Sequence, residues 1–274
     1  MIASQKGGSG KTTLCGHLAV EACRAGVGPV SLIDTDPQGN LAQWWNARVA
    51  AEPHFVKAGG FALGETLAEL DRAGFRLAVI DTPPAITQCI SQVVAHADLV
   101  IVPTRPSPHD LRAVGLTVDI VERHGKPMIF VVNGANARAR ITGESAVALS
   151  QHGTVAPVIV HHRVDFAASM VDGRTVGEIV PDSPSAREIS GLWIYVQDKL
   201  SRIVRDTQLI PGLRPGSSPL IAAGDEDLAV EDRVPPPRLA SAAPRPEAGL
   251  RAGMRTFKAP DHRLYVFGRR PSGQ

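Results

Sequence analysis

A glycine-rich run with two lysines lies near the start of the sequence. It reads Lys6-Gly7-Gly8-Ser9-Gly10-Lys11-Thr12-Thr13. Glycines let the backbone curl so that successive N–H groups point inward, and such a nest at a helix N-terminus binds anions. In this arrangement we expect Lys11 to reach the β- and γ-phosphates of a nucleotide and the Thr12 hydroxyl to bind Mg²⁺. The run therefore predicts a binding site for a nucleoside triphosphate.

The run differs from the usual phosphate-loop pattern at its first position. The pattern G-x-x-x-x-G-K-[ST] has a glycine six residues before the lysine, where this chain has Gln5. A second lysine, Lys6, begins the loop instead. The interpretation therefore depends on what the rest of the sequence places around the loop.

Three aspartates follow short apolar runs. Asp34 and Asp36 come after the apolar residues 30–33, and Asp81 comes after 77–80. At the carboxyl ends of parallel strands, such side chains lie beside the point where phosphates bind. A lone aspartate at a strand end is more often a helix N-cap, but three of them together with this loop favour a site for a nucleotide and its metal ion.

Short apolar runs alternate with stretches of helical length over residues 1–205. The apolar runs lack period-two alternation, which is typical of strands buried on both faces. They cover 30–33, 77–80, 99–102, 128–132 and 158–160. The stretches that fit helices are 11–25, 64–73, 86–96, 108–124, 142–151 and 184–204. This alternation predicts an α/β fold with a doubly wound, mostly parallel sheet flanked by helices.

The strand expected before the phosphate loop has little room. Only residues 1–5 precede the loop. Either this strand is very short or the natural start of the chain lies upstream, and of these two alternatives we favour the second.

The composition is that of an ordinary globular protein. The chain has 274 residues, 43% of them hydrophobic, and a formal net charge of +2, which by itself indicates no class of partner. Its three cysteines form no CxxC pair, so neither a disulfide framework nor a zinc site is indicated. No apolar stretch approaches the about 18–20 residues that cross a bilayer, and the early phosphate loop leaves no room for a signal peptide. We therefore expect a soluble, cytoplasmic protein.

Residues 206–274 differ in character from the rest of the chain. They are rich in Pro, Gly, Ala and Arg and include Pro235-Pro236-Pro237. Because such a segment buries too little apolar surface to offset the entropy of ordering, we predict a largely disordered tail. Its end, residues 263–270, mixes aromatic and basic residues. That end is either a solvated terminus or a peptide that docks a partner, DNA or a membrane.

Three motifs, taken in order, resemble those of a known family. They are K-G-G-x-G-K-T-T at 6–13, D-x-D-P-Q-G-N at 34–40 and D-T-P-P at 81–84. Together they resemble the deviant Walker-A P-loop ATPases of the ParA/MinD family, and D-P-Q-G-N is the wording of the ParA branch. Residues 163–188 are similar to that family's closing R-x-x-F…G-x-T-V-x-E…A-x-x-E segment. The resemblance covers residues 1–205, and Ser9 departs from it, since the family usually has a small apolar residue there.

The resemblance implies a role for each residue of the site. Lys6 is similar to the signature lysine that reaches the other subunit's phosphates, so ATP would lie between the two protomers of a homodimer. Asp36 resembles the carboxylate that positions the attacking water. Asp34 and Asp81 would support Mg²⁺ through water, and Asn133, at a strand end, could bind adenine. Because phosphoryl transfer depends on positioning and charge neutralisation, a lysine donated in trans would make hydrolysis depend on dimerisation.

The resemblance also implies a switch that moves cargo. ParA-like proteins bind DNA without sequence preference as ATP-bound dimers, and release it after a ParB-like or other partner protein stimulates hydrolysis. We expect such a role here, with a plasmid, a chromosome or a protein cluster as cargo and a location on the nucleoid. The candidate DNA contacts are Arg163, Arg174, Arg202 and Arg205. Contacts between such residues and DNA phosphates would make binding steeply dependent on salt.

Other functions are alternatives. A MinD-like ATPase binds membrane through a C-terminal amphipathic helix, but here prolines follow the last helical stretch, so a membrane is an unlikely partner. An iron–sulfur reductase with the same deviant loop needs two cysteines near the dimer axis, and Cys89 alone is near such a place. Trp44-Trp45 indicate packing rather than base stacking. His161-His162 are improbable metal ligands, because no third ligand accompanies them.

Overall fold

The structure, a computed structural model, describes residues 1–59, 62–84 and 88–208. The last described helix continues to Gln208, beyond the predicted domain boundary at residue 205. The rest of the predicted tail, from residue 209 onward, lies outside the described residues.

The described strands pair in parallel and confirm the predicted fold class. Their bounds are β1 (Val30–Asp34), β2 (His54–Lys57), β3 (Leu77–Asp81), β4 (Val100–Thr104), β5 (Met128–Ala135), β6 (Thr154–Val155) and β7 (Val160–His161). The order is β2-β1-β3 on one side and β4-β5-β6 on the other, with β7 beside the carboxyl end of β5. The pairing of β1 with β3 places Asp34 directly beside Asp81. Both carboxylates therefore lie at the carboxyl edge of the sheet, as the sequence predicts.

Residues 1–3 join the two sides of this sheet. Ile2 forms parallel bridges with both Asp81 and Ile101. The Ile2 N–H donates to the Ile80 carbonyl at 2.9 Å, and the Ala3 N–H donates to the Ile101 carbonyl at 2.9 Å. This segment therefore lies where the first strand is expected, as isolated bridges rather than a full strand, and an upstream start of the natural chain stays a prediction. Residues 1–3 deliver the glycine-rich loop to the centre of the carboxyl edge.

Helices cover both faces of the sheet. Their bounds are α1 (Lys11–Arg24), α2 (Asn40–Ala47), α3 (Leu63–Arg72), α4 (Gln88–Ala95), α5 (Pro108–Arg123), α6 (Arg140–Ser150), α7 (Val164–Met170), α8 (Val176–Ile179) and α9 (Pro184–Gln208). The six predicted helical stretches correspond to α1, α3, α4, α5, α6 and α9. The predicted stretches do not include α2, α7, α8, β2 or β6, since each is too short to show a clear hydrophobic period. The predicted strand at 158–160 overlaps β7 only at Val160.

The core lies between the sheet and the helices of each face. On one face α1 and α9 pack together, with Leu14, Leu18 and Leu192 almost fully buried against the sheet. On the other face α4 and α5 contribute the buried Val94 and Val121. Because each buried aliphatic side chain contributes about 1.5–3 kcal/mol on leaving water, these two layers hold the strand ends, and therefore the loops of the site, in fixed positions.

A buried ion pair ties α2 to α8. The Arg48 side chain is 3% exposed and donates to both carboxylate oxygens of Glu178, at 2.7 and 3.0 Å. It also donates to the Gly173 carbonyl at 2.7 Å. Burial raises the pKa of Glu178, but the hydrogen bonds from Arg48 and Thr175 outweigh it, so that the pKa lies below its usual range. The G-x-T-V-x-E segment therefore anchors the helix that follows the aspartates of β1.

Candidate nucleotide-binding site

The glycine-rich loop depends on glycine at two positions. Gly8 and Gly10 have φ values of 75° and 93°, which favour residues without a Cβ. A Cβ on Gly10 would lie 2.2 Å from Nδ2 of Asn133, whereas a Cβ on Gly7 would meet no atom within 4 Å. Gly10 caps α1, so the free N–H groups of the first turn of that helix face the loop. The loop is thus shaped as an anion nest at a helix N-terminus.

Lys11 lies inside this nest. It is 7% exposed, and its ammonium is 3.5 Å from the Lys6 carbonyl oxygen. Burial lowers the pKa of Lys11, while the charge of Asp81 opposes that shift. A buried ammonium is stable when an anion lies beside it, and a nucleotide phosphate in the nest would provide one.

Thr12 and Asp81 form a pair at the start of α1. The Thr12 hydroxyl donates a 2.6 Å hydrogen bond to Asp81 Oδ2. The other oxygen, Asp81 Oδ1, is buried and accepts no hydrogen bond from any described residue. Burial raises the pKa of Asp81 to about 7, although the Thr12 hydroxyl lowers it. A hydroxyl and an unpaired buried carboxylate oxygen beside a phosphate nest are a donor set that fits Mg²⁺, directly or through water.

Asp34 holds the backbone around it. It is fully buried, and its oxygens accept the N–H groups of Asp36 and Ala42, each at 3.0 Å. Burial raises the pKa of Asp34 more than these two hydrogen bonds lower it. Because Ala42 lies in the first turn of α2, Asp34 accepts one of the free N–H groups of that turn, while the N-cap position itself is occupied by Gly39. Its expected water-mediated contact with Mg²⁺ stays a prediction.

Asp36 is placed differently from its neighbour. It is 8% exposed, and its Oδ1 accepts the Gln38 N–H at 3.0 Å. Its Oδ2 accepts no hydrogen bond from the residues that the structure describes. One oxygen of the side chain is therefore engaged and the other is not. The positioning of the attacking water by Asp36 stays a prediction.

Asn133 makes a contact that the sequence did not suggest. Its Nδ2 donates a 2.6 Å hydrogen bond to the Ser9 carbonyl across 124 residues. Asn133 lies in β5, which pairs with β4, and is 9% exposed, so it supports the phosphate loop from one strand beyond β4. The binding of adenine by Asn133 stays a prediction.

Lys6 is exposed at the beginning of the loop. Its ammonium forms no ion pair or hydrogen bond with any described residue. Gly7 and Gly8 beside it are exposed as well. The beginning of the loop is thus accessible to a second molecule, in contrast to the buried Lys11.

The sequence analysis missed Arg105 at this edge. It follows β4 directly, and its guanidinium lies beside the phosphate loop, with Nη1 and Nη2 each 3.9 Å from where a Cβ on Gly8 would be. The available signal was its position after an apolar run, the same signal that identified the three aspartates.

The four arginines predicted to contact DNA are not equivalent. Arg163 donates to Glu188 at 2.6 Å, and Glu188 also accepts from His161. Arg174 pairs with Asp172 at 2.6 Å and Arg202 pairs with Asp198 at 3.0 Å. Arg205 forms no ion pair within the described part of the chain, and its Nε donates to the Ser201 carbonyl. Three of the four are thus already paired with a carboxylate in this structure.

Metal-ligand clusters and bilayer-spanning helices are both absent from the described part of the chain. Among residues 1–59, 62–84 and 88–208, no group of three or more His, Cys, Asp or Glu is arranged to hold a metal ion. The side chain of Cys89 lies outside the described residues, so the iron–sulfur alternative is not addressed there. Within the same ranges, no helix combines the length and the apolar character that spanning a bilayer requires.

Comparisons with known proteins agree with this geometry. The family described as the CobQ/CobB/MinD/ParA nucleotide binding domain matches residues 1–176. Maintenance of carboxysome distribution protein A from Halothiobacillus neapolitanus is 27% identical over 196 residues, which are 68% of this chain and 90% of that protein. The protein of the same name from Gloeobacter kilaueensis is 40% identical over 120 residues, 43% of this chain and 53% of that relative. The fold of a Cyanothece McdA variant in complex with ATP is similar, with a TM-score of 0.59 at 18% identity, over 73% of this chain and 95% of that one.

Proposed function

This chain belongs to the CobQ/CobB/MinD/ParA nucleotide-binding family, and on that premise we propose that it is an ATP-hydrolysing positioning switch. In this proposal the protein dimerises on ATP, binds DNA without sequence preference and releases it after hydrolysis. The observation that carries the proposal is the unpaired, buried Asp81 Oδ1 beside Thr12, at the start of a helix preceded by an anion nest. Such a combination fits a nucleotide with its Mg²⁺.

The residues of the loop divide the work of phosphoryl transfer. Lys11 neutralises the β- and γ-phosphates, and the N–H groups of the loop hold them in place. Thr12 and Asp81 would hold Mg²⁺, which when bound would supply further charge neutralisation on the same phosphates. Asp36 orients the attacking water through Oδ2, since its Oδ1 is already engaged with the Gln38 N–H. This division explains why the carboxylates lie at the ends of two neighbouring strands.

Lys6 supplies the dependence on a second subunit. Its exposed ammonium makes no contact with described residues of its own chain, in keeping with a partner that arrives from outside. In the proposed dimer it reaches the phosphates held by the other protomer. A cation donated in this way lowers the barrier to hydrolysis only in the dimer.

The surface on which the switch acts is proposed to be DNA. The exposed Arg202 and Arg205 are near the end of α9, and Arg174 is exposed as well. Contacts between these arginines and DNA phosphates would release counterions from the DNA, so binding would weaken as salt rises. For Arg163, Arg174 and Arg202, each such contact would also cost the present carboxylate pair. A MinD-like membrane surface is the second candidate and is supported only by the shared family. The names of the relatives refer to carboxysome distribution, which supports a large protein assembly as cargo, with a ParB-like or other partner as activator.

Sedimentation with DNA tests this proposal. The protein is spun with and without long nonspecific duplex DNA in Mg-ATP, Mg-ADP or no nucleotide, at low and moderate salt. The proposal predicts co-sedimentation in ATP that weakens steeply with salt. Arg174→Gln and Arg205→Gln together are expected to weaken it, while Arg123→Gln, which removes a charge at the far end of α5, leaves it unchanged. Indifference to DNA in every nucleotide state would contradict the DNA part, and binding to anionic liposomes in ATP would favour the membrane alternative.

A further inference from the structure

Arg105 lies between the phosphate loop and the end of β5. A Cβ on Gly8 would be 3.9 Å from both Nη atoms, and a Cβ on Gly134 would be 3.7 Å from the Cγ and Nε of Arg105. Gly134 follows Asn133, the residue whose Nδ2 donates a hydrogen bond to the Ser9 carbonyl of the loop. Arg105 therefore lies between the phosphate loop and β5. Each of these elements has a glycine at the position next to the arginine, Gly8 in the loop and Gly134 in β5.

The backbone at Arg105 is fixed while its guanidinium is free. Thr104, the last residue of β4, is 3% exposed. The Arg105 carbonyl accepts the Ser107 N–H at 2.8 Å, and Pro106 restricts the conformation of the residue before it. The Arg105 side chain is exposed and forms no hydrogen bond or ion pair with any residue that the structure describes. The guanidinium of Arg105 is thus available to a ligand at the edge of the nest, while the backbone that holds it is well ordered by its contacts.

The charges nearby explain what that ligand would be. Lys6 and Lys11 belong to the same loop, so the guanidinium adds a third positive charge to this end of the molecule. Elsewhere Arg163 and Arg174 are paired with carboxylates at 2.6 Å. Lys11 is already balanced in part by Asp81, whereas Arg105 pairs with no carboxylate among the described residues, so a polyphosphate in the nest is the anion that would pair with it. A guanidinium binds two phosphate oxygens at once through parallel N–H groups, which makes arginine well suited to this task.

We propose that Arg105 is an additional phosphate-binding residue of the nucleotide site, which contacts the terminal phosphates of the ATP held by its own chain. The proposal rests on the assignment of ATP as ligand and adds a second cis cation to Lys11. It assigns the contact to the same chain because the guanidinium already lies against the loop of that chain. Since ATP has one more phosphate than ADP, Arg105 favours the triphosphate.

The test compares Arg105→Gln with Arg123→Gln. Both changes remove one positive charge, but Arg123 lies at the opposite end of α5, where its Nε donates to the Asp119 carbonyl. Affinities for a non-hydrolysable ATP analogue and for ADP, each with Mg²⁺, are measured by titration calorimetry on the full chain at low salt. Arg105→Gln is expected to weaken binding of the ATP analogue about tenfold, as loss of a hydrogen bond between charged groups does, and to weaken ADP binding less. Arg123→Gln is expected to match the unchanged chain.

A second pair of variants separates a contact within the chain from one across a dimer. In a Lys6→Ala background, which is expected to stay monomeric, the effect of Arg105→Gln should persist. Disappearance of the effect in that background would overturn the assignment to the same chain. Equal affinities of Arg105→Gln and the unchanged protein would overturn the role of Arg105 and leave the ATP assignment intact. Failure of the unchanged protein to bind either nucleotide would overturn both.

Discussion

The Thr12 hydroxyl donates a 2.6 Å hydrogen bond to Asp81 Oδ2, which joins the first turn of α1 to the end of β3 across 69 residues. The pair lies beside the phosphate nest, and the remaining Asp81 oxygen is buried without a partner among the described residues. The contact fixes the carboxylate in one orientation. This orientation fits a bound cation, and the metal assignment stays a prediction.

Removal of the Thr12 hydroxyl tests the metal assignment. Thr12→Ala is expected to weaken Mg-dependent ATP binding by about 10- to 100-fold, because a hydrogen bond to a charged group is lost together with a metal ligand. Thr12→Ser retains the hydroxyl and is expected to bind nearly as well as the unchanged protein. Titrations with and without EDTA provide the measurement. Equal dependence on Mg²⁺ in the alanine and serine variants would show that Thr12 does not hold the metal.

The two glycines of the loop provide a matched test of its shape. Gly10→Ala is expected to reduce ATP affinity on the order of tenfold, since a left-handed φ costs a side chain about 1–2 kcal/mol and the new Cβ would meet Asn133. Gly7→Ala is expected to retain ATP binding, because no atom lies within 4 Å of the new Cβ. Binding of a fluorescent ATP analogue distinguishes the two variants. If both bind alike, the nest does not have the described shape.

The Arg48–Glu178 pair is expected to matter for stability rather than for nucleotide chemistry. Glu178→Ala leaves a buried guanidinium without its carboxylate, which costs about 3 kcal/mol in the free energy of unfolding. Glu144→Ala is the control, because its partner Arg140 is 92% exposed and exposed pairs contribute little. Urea denaturation measures both. If both variants lower the free energy of unfolding by a similarly small amount, the Arg48–Glu178 pair does not have the stabilising role given to it here.

Burial of His17 predicts a pH dependence of stability. Burial lowers the pKa of His17 to about 4, although its bond to the Thr13 carbonyl opposes the shift, and its Nε2 accepts the Val176 N–H at 3.3 Å. Below the ordinary pKa of about 6.5 the unfolded chain binds a proton that the folded chain does not. Stability is therefore lost as pH falls from about 6.5 to 4, by about 3 kcal/mol in total from this residue.

A neutral side chain at position 17 isolates that contribution. His17→Gln is expected to lose less stability than the unchanged protein over the same pH range, as measured by urea denaturation at each pH. Parallel pH profiles of the two proteins would exclude His17 as the source.

The sequence predicted the parts of the site that depend on local pattern. The glycine run, the start of α1 and the positions of Asp34, Asp36 and Asp81 at strand ends follow from short motifs and from buried apolar runs. The hydrogen bond from Asn133 to the Ser9 carbonyl does not, since it joins residues 124 positions apart. Contacts of this kind depend on the order of strands in the sheet, which periodicity does not determine.

For the same reason, the sequence could not predict which arginines are paired with carboxylates. A sequence shows that Arg163 and Arg174 are basic, but whether each is paired is decided by Glu188 and Asp172 in the folded chain. Arg105 was overlooked for a similar reason, because only the fold brings the end of β4 against Gly8.

The most direct test of the switch is the mass of the ATP-bound protein in solution. Light scattering is measured on Asp36→Ala, in which ATP hydrolysis is expected to be blocked, and on Lys6→Ala/Asp36→Ala, in Mg-ATP and in Mg-ADP. The proposed switch requires that Asp36→Ala is a dimer in ATP and a monomer in ADP, whereas the double variant binds ATP but stays a monomer. A monomeric Asp36→Ala protein saturated with ATP, or a double variant that dimerises, would contradict it.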